Sequence, residues 1–215
     1  MKLEQALQQF GSIPFTHASL LSVLRDYRRP NDKIVKLVEE GALVTLKKGV
    51  YVLGPALRRE PLNVPLIANN LYGPSCVSLD WALAWHGLIP EGVIGITSVT
   101  SRRAKVYQTP VGSFSYQHIP AELVYTGARV ERFNGDAACL LAGPTKALCD
   151  KILLTRNLRL FSAAAMEVFL EDDLRVDRES LEDIEMDVLD GYRQAGHKAD
   201  LIDLLGQVLE SWQWA

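Results

Sequence analysis

The sequence predicts an α+β protein, with an N-terminal winged helix-turn-helix followed by a larger mixed α+β domain that has a helical C-terminal end. Three observations support this fold class. Apolar residues recur at helical spacing in three short segments at the start of the chain. Two strand-like runs joined by a glycine turn follow them. After a Gly-Pro break, short β-rich runs and then longer helical patterns return. We therefore expect two domains, residues 1–60 and residues 62–215.

The first two predicted helices are short and amphipathic. Residues 1–10 repeat apolar side chains at helical spacing, and Gly11 ends this segment. Thr16 is the expected N-cap of the second helix, because its hydroxyl can accept from a free backbone N–H of the first turn. Leu20 and Leu24 then lie on one face of that helix.

The third predicted helix begins at a cap provided by Asn31 or Asp32. Its Ile34 and Leu37 face inward, and Gly41 ends it. In a winged helix-turn-helix the third helix enters the major groove of DNA. Its outward-facing side chains are therefore candidates for contacts with base edges.

A β-hairpin wing is predicted after the third helix. The strand-like runs 43–46 and 50–53 are joined by Lys47-Lys48-Gly49, in which Gly49 can adopt a positive φ. Two adjacent lysines at the tip of a hairpin give this wing a cationic end.

Charge is distributed unevenly along a chain whose net charge is −3. Residues 1–60 contain ten Lys and Arg and six Asp and Glu, whereas residues 61–215 contain thirteen and twenty. Phosphates attract cations, so double-stranded DNA is expected at the N-terminal part. Arg and Asn suit base edges, and Lys suits phosphate oxygens. The candidate DNA-binding residues are Arg28, Arg29, Asn31, Lys33, Lys36, Lys47 and Lys48. Two alternatives are a solvated helix face and a winged helix that binds protein.

The second domain is predicted to begin near Leu62. Two helical patterns come first, then four strands separated by Gly or Pro, then four helices. The helical patterns are 64–71 and 77–86, the strands are 93–99, 105–109, 113–119 and 128–133, and the later helices are 146–154, 163–170, 181–192 and 201–212.

A succession of short segments along most of the chain is similar to one known family. The segments are Lys48-Gly49-Val50-Tyr51, Ile67-Ala68-Asn69, Pro74-Ser75-Cys76-Val77-Ser78-Leu79, His86-Gly87-Leu88-Ile89-Pro90-Glu91, Thr97-Ser98-Val99-Thr100, Tyr116-Gln117-His118-Ile119 and Lys146-Ala147-Leu148-Cys149-Asp150. Together they resemble the antitoxins of the abortive-infection AbiE type, which are type IV toxin–antitoxin regulators. The resemblance implies a repressor that binds inverted repeats upstream of its operon and counteracts a nucleotidyltransferase-like toxin. The chain departs from this resemblance at Thr145, because the resemblance implies a glutamate at that position.

The sequence contains no assembled catalytic constellation, so we expect no enzyme activity, no cofactor and no metal. The four histidines lack short metal-ligand spacing, and Gly143-Pro144-Thr145-Lys146 lacks the earlier glycine of a phosphate-binding loop. Glu171-Asp172-Asp173 is interpreted as a solvated helix end. No apolar run reaches the roughly 18 residues of a membrane helix, and the polar first ten residues do not resemble a signal peptide. We therefore expect a cytoplasmic protein that does not bind membranes. The alternative function is a winged-helix regulator with an unrelated effector- or protein-binding C-terminal domain.

Overall fold

The computed structural model describes residues 3–133, 137–181 and 184–213. Within them the chain is a mixed α+β protein with a three-stranded sheet, a six-stranded sheet and a helical C-terminal end. None of the described helices is long and apolar enough to cross a membrane.

The N-terminal part consists of short helices packed on a small antiparallel sheet. Its strand order is β1-β3-β2. The core is formed by apolar side chains from all six elements, among them Leu7, Phe15, Leu20, Ile34 and Leu43. The elements are α1 (Leu3–Gln8), β1 (Phe15–Thr16), α2 (His17–Val23), α3 (Pro30–Glu39), β2 (Leu43–Lys47) and β3 (Val50–Leu53).

The N-terminal ends of α2 and α3 can be compared with the N-caps predicted from the sequence. Thr16 caps α2 as predicted, since its Oγ1 accepts from the backbone N–H of Ser19 at 3.2 Å. The predicted cap of α3 is wrong, because Asn31 and Asp32 lie inside the helix and Arg29 occupies the capping position. Pro30 takes the first helical position, where its fixed φ fits and its missing N–H has no partner to lose.

The β2–β3 hairpin packs on both parts of the chain. Leu43 and Leu53 belong to the N-terminal core. Leu46 and Val52 are buried in the larger core instead, because alternate side chains of a strand point to opposite faces of the sheet. The hairpin is thus shared between the two cores.

The larger part is built on a six-stranded mixed sheet. Its strand order is β6-β7-β5-β4-β9-β8, in which the pairs β5–β7 and β4–β9 are parallel and the other neighbours are antiparallel. Helices pack on this sheet and on one another, and the last four in sequence form the helical C-terminal end. The strands are β4 (Ser75–Val77), β5 (Ile96–Thr100), β6 (Lys105–Thr109), β7 (Gly112–His118), β8 (Ala128–Arg132) and β9 (Ala138–Ala142), and the helices are α4 (Val64–Leu71), α5 (Leu79–Trp85), α6 (Pro144–Leu154), α7 (Ala163–Val168), α8 (Met186–Ala195) and α9 (Ala199–Gln213).

Three regions of the larger part differ most from the sequence predictions. Val77, which was expected to begin a helix, ends β4, and α5 begins at Leu79. The run 138–142 forms β9, which was not predicted because a short, continuously apolar strand lacks the alternation of a half-buried one. The helix expected from residue 181 begins at Met186.

Candidate nucleic-acid interface

The starts of α2 and α3 meet the turn of the β2–β3 hairpin. The backbone N–H of His17 donates to the carbonyl oxygen of Gly49 in the turn, at 2.9 Å. The ring Nε2 of His17 lies 2.9 Å from Oδ1 of Asn31, in the first turn of α3. An amide oxygen can only accept, so the imidazole donates in this contact. His17 therefore links the turn that contains Lys48 and Gly49 to the first turn of α3.

Lys48 stands at the tip of the hairpin. The turn consists of Lys48 and Gly49, and Gly49 has a φ of +80°, a region that favours glycine. The Lys48 side chain is exposed. This lysine thus has the position that the sequence predicts for a cationic wing tip.

Lys47 does not stand at the tip, contrary to the sequence prediction. It is the last residue of β2 and is half-buried. Its Nζ donates to the carbonyl oxygen of Leu71 at the end of α4, and lies 5.9 Å from the centroid of the Tyr107 ring. The pairing of β2 with β3 shifts register between Thr45 and Lys47, so the alternation of side chains is interrupted there, and Lys47 turns toward the larger part as its neighbour Leu46 does. Lys48, in the turn, is exposed. Lys47 attaches the hairpin to that part.

The predicted cations around α3 are exposed but have acidic neighbours. Arg28, Arg29 and Lys36 are all exposed. An Nη1 atom of Arg29 lies 3.7 Å from a carboxylate oxygen of Asp32, and Nζ of Lys36 lies 3.9 Å from Glu40. Exposed ion pairs at such distances contribute little stability. A phosphate can therefore compete for either cation.

Lys33 lies away from the outward face of α3, where the sequence prediction placed it. It is half-buried and lines a groove between α1 and α3, together with Glu4 and Glu40. Lys33 shares a helix face with Leu37, four residues later, and Leu37 is buried. This register directs Lys33 toward α1.

The outward face of α3 has a mixed charge. Asp32, Val35, Lys36 and Glu39 are exposed along it, and Val35 is 57% exposed. The two carboxylates would repel a phosphate backbone. Positive charge in this part is therefore concentrated before the helix and at the hairpin tip.

Sequence reasoning missed three cations beside the hairpin. Arg102 and Arg103, in the β5–β6 loop, and Lys105, the first residue of β6, are exposed, and β2 packs beside β6. The charge count over residues 61–215 did not reveal these cations, because the acidic residues of the C-terminal end make that count negative. The absence of Asp and Glu between residues 92 and 121 was the available signal.

A buried polar cluster lies in the larger part, between α6 and α8. Lys146 Nζ lies 3.1 Å from Oδ2 of Asp150 and donates to the carbonyl oxygen of Leu123 at 2.7 Å. The Tyr192 hydroxyl donates to Oδ1 of Asp150, and Ser78 Oγ donates to Oδ2 at 2.6 Å. Burial, followed by the charge of Asp150, raises the pKa of Tyr192. Each side chain has a partner and none is exposed to solvent, so this cluster is suited to holding the fold together.

Thr145, the position that departs from the family resemblance, is also fully buried. Its Oγ1 accepts from the backbone N–H of Glu185 at 3.1 Å. The side chain of Glu185 pairs with Arg129 at 3.1 Å. Thr145 therefore fixes the residue that precedes α8, and Glu185 supplies a carboxylate at this end of α6.

The acidic cluster of the sequence lies in the turn that follows α7. Glu171, Asp172 and Asp173 are exposed in a π-helical turn that spans Phe169–Asp173. Among the residues that the structure describes, no group of three or more His, Cys, Asp and Glu side chains is placed to hold a metal ion.

No protein-family model matches the chain, and no curated protein is significantly similar to it in sequence.

Proposed function

We propose that this protein is a cytoplasmic, DNA-binding transcriptional repressor whose residues 1–60 form a winged helix-turn-helix. The proposal includes autoregulation of its operon through inverted repeats and an antitoxic role against a nucleotidyltransferase-like toxin, as the resemblance to AbiE-type antitoxins implies.

One structural observation carries the DNA-binding half of the proposal. The helices α2 and α3 and the β2–β3 hairpin are joined through His17, which bonds to Gly49 in the hairpin turn and to Asn31 at the start of α3. The turn that His17 links to α3 carries an exposed lysine, Lys48, and in a winged helix-turn-helix the start of α3 would meet base edges. Arg28 and Arg29 precede the same helix and add two exposed guanidinium groups.

Equilibrium binding of the full-length protein to double-stranded DNA tests this half. The two probes are the sequence immediately upstream of its own gene and a random duplex of equal length. Each phosphate contact increases the magnitude of the slope of log affinity against log salt by about 0.9. We expect Lys48→Ala to weaken binding to both probes and to lower the slope by about that amount. A wild-type protein that binds neither probe would refute the DNA-binding proposal.

The antitoxic half is tested in cells. Co-expression with the product of an adjacent nucleotidyltransferase-like gene should restore growth. A triple Arg28→Ala, Arg29→Ala, Lys48→Ala variant, which keeps the buried cluster of the larger part, should restore growth equally while failing to repress. Loss of growth rescue in that variant would tie the antitoxic effect to repression alone.

The proposal assigns no catalytic turnover to the chain. The exposed carboxylates Asp172 and Asp173 are the residues with which to test it. Metal-dependent nucleotide transfer by the purified protein that disappeared in the Asp172→Asn, Asp173→Asn variant would contradict this assignment.

The alternative, an effector- or protein-binding second domain, is favoured by a groove beside α9. The groove has a volume of about 580 Å³, and Leu158, Leu160 and Leu204 lie in its wall next to Phe161, whose side chain is 90% exposed. A Phe161→Ser variant distinguishes the two readings. Under the antitoxin proposal it represses and rescues growth normally, whereas under the alternative it loses control of repression by an effector or partner.

A further inference from the structure

The larger part presents a cationic loop beside the hairpin. Arg102, Arg103 and Lys105 are exposed there, and no Asp or Glu occurs between residues 92 and 121. The hairpin segment, residues 41–59, also contains no acidic residue. Because β2 packs beside β6, these two segments are neighbours on the molecule. Their cations are therefore not offset by carboxylates from either segment.

Two of the three acidic residues in this stretch of the chain are paired with cations from its helical C-terminal end. Between residues 41 and 121 the chain has three acidic residues, Glu60, Asp80 and Glu91. Asp80 is paired with Lys151 of α6. Glu91 lies 3.1 Å from Arg175, after the turn that follows α7. The helical end of the chain thus supplies the partners, and the cations of the loop and hairpin stay available to an anion.

Two tyrosine rings hold the cations of this region in place. Nζ of Lys105 lies 4.6 Å from the centroid of the Tyr107 ring and 5.5 Å from that of Tyr72. The guanidinium carbon of Arg102 lies 5.6 Å from the Tyr72 centroid, and Lys47 approaches Tyr107 from the hairpin. Cation–π contacts of this kind restrict long, flexible side chains before any ligand arrives.

The backbone of the loop is also fixed by side chains from three other elements. The ring Nδ1 of His118 donates to the carbonyl oxygen of Arg102 at 3.0 Å, and the Tyr72 hydroxyl donates to that of Arg103 at 3.2 Å. Thr100 Oγ1 donates to the carbonyl oxygen of Pro74 at 2.6 Å and accepts from the N–H of Arg102 at 3.2 Å. A loop held in this way presents its cations in one arrangement.

We propose that Arg102, Arg103 and Lys105 form a second contact to the DNA backbone, on phosphates that flank the segment bound by α3 and the hairpin. This inference rests on the proposed DNA-binding function and extends it into the larger part. Double-stranded DNA fits better than a single strand, because the rings of Tyr72 and Tyr107 are each approached by two cations and are occupied in holding them. Phosphate contacts of this kind strengthen binding without choosing a sequence.

The test compares full-length wild type with the Arg102→Gln, Arg103→Gln variant on the upstream duplex and on the random duplex, over a range of salt concentrations. We expect weaker binding to both duplexes, by the same factor, and a salt slope lower by about 1.8 for two lost contacts. Lys105→Gln is a second, single variant and should lower the slope by about 0.9. The matched control is Arg156→Gln, Arg159→Gln, which removes the same charge from exposed positions between α6 and α7.

The outcomes separate this inference from the proposed function. If the loop variants keep the slope of the control while Lys48→Ala lowers it, the loop inference is wrong and the proposed function stands. If the loop variants lower the slope while Lys48→Ala and Asn31→Ala change nothing, the winged-helix proposal is wrong and the loop contact stands. The single strands of the upstream duplex are a third probe, and tighter binding of wild type to either strand than to the duplex would overturn the inference.

Discussion

The imidazole of His17 donates a hydrogen bond to the side-chain oxygen of Asn31, at 2.9 Å, and so joins the first turns of α2 and α3. The two residues are fourteen positions apart in the sequence. An asparagine that reads adenine uses both its oxygen and its NH₂ group. Because His17 occupies the oxygen, the NH₂ group of Asn31 is the part available to an acceptor on a base.

Asn31→Ala should reduce sequence preference more than it reduces overall affinity. A bidentate base contact contributes about 1–3 kcal/mol of discrimination, and Asn31 has only its NH₂ group available, so affinity for the upstream duplex should fall by up to about 1 kcal/mol and affinity for random DNA much less. Fluorescence anisotropy with both probes measures the ratio. Lys33→Ala is the control from the same helix, because Lys33 lies in the groove against α1 and should leave the ratio unchanged. A preference that survived Asn31→Ala but vanished in Lys48→Ala would make the hairpin the reader.

Breaking the buried Lys146–Asp150 pair should strongly destabilise the fold. Lys146→Ala leaves the Asp150 carboxylate without its cation in a site closed to solvent, which costs about 3–5 kcal/mol of unfolding free energy. Urea unfolding monitored by circular dichroism measures the change. Arg175→Ala removes the cation of an exposed pair, Glu91–Arg175, and should cost less than about 1 kcal/mol. Equal losses in the two variants would contradict a structural role for the buried cluster.

Gly127 lies beside the buried Lys146–Asp150 cluster and Gly196 lies away from it, so alanine substitutions at these two positions form a matched pair. Both have a positive φ, +70° and +73°. A Cβ at Gly127 would lie 2.8 Å from Val188 and 2.9 Å from the Cβ of Lys146, whereas a Cβ at Gly196 would have no neighbour within 4 Å. Gly196→Ala should therefore cost roughly 1 kcal/mol from backbone strain, and Gly127→Ala about 1–3 kcal/mol more from the clash. Thermal unfolding of the two variants checks the difference, and equal melting temperatures would refute it.

Stability should fall at alkaline pH, because the cysteines are buried as thiols. Burial raises the pKa of Cys76 and of Cys139 from 9.0 to about 12. The unfolded chain releases these protons above pH 9 while the native chain keeps them. Each protonated thiol therefore contributes fully to the free energy of unfolding below pH 9. This contribution is lost between pH 9 and 12, at up to about 1.4 kcal/mol per pH unit for each thiol.

Urea midpoints measured between pH 8 and pH 10.5 test this expectation, because this range includes the ordinary thiol pKa of 9.0, above which the unfolded chain ionises. Cys76→Ala begins from a lower stability because it loses buried volume, but its decline with pH should be shallower than that of wild type. A decline equally steep in Cys76→Ala would assign the effect to other groups.

Local sequence patterns predicted the elements whose identity depends on a few adjacent residues. The predicted bounds of α4 and β6 agree with the structure, and Thr16 caps α2 as expected, because spacing, strand propensity and a capping hydroxyl act within a few residues. β4 and β9 were missed, since a strand in the middle of a sheet is defined by the neighbours with which it pairs.

The sequence by itself determined the α+β class, the order of helices and hairpin in the N-terminal part, and the placement of Lys48 in a turn, because each depends on contacts between near neighbours in the chain. Only the tertiary structure decided which cations share a surface. Lys47 and Lys105 approach one ring, that of Tyr107, although nearly sixty residues separate the two lysines in the sequence, and Lys33 is directed toward α1. Charge acts through distance in space, so a count along the chain could assign charge to a segment but not to a face of the molecule.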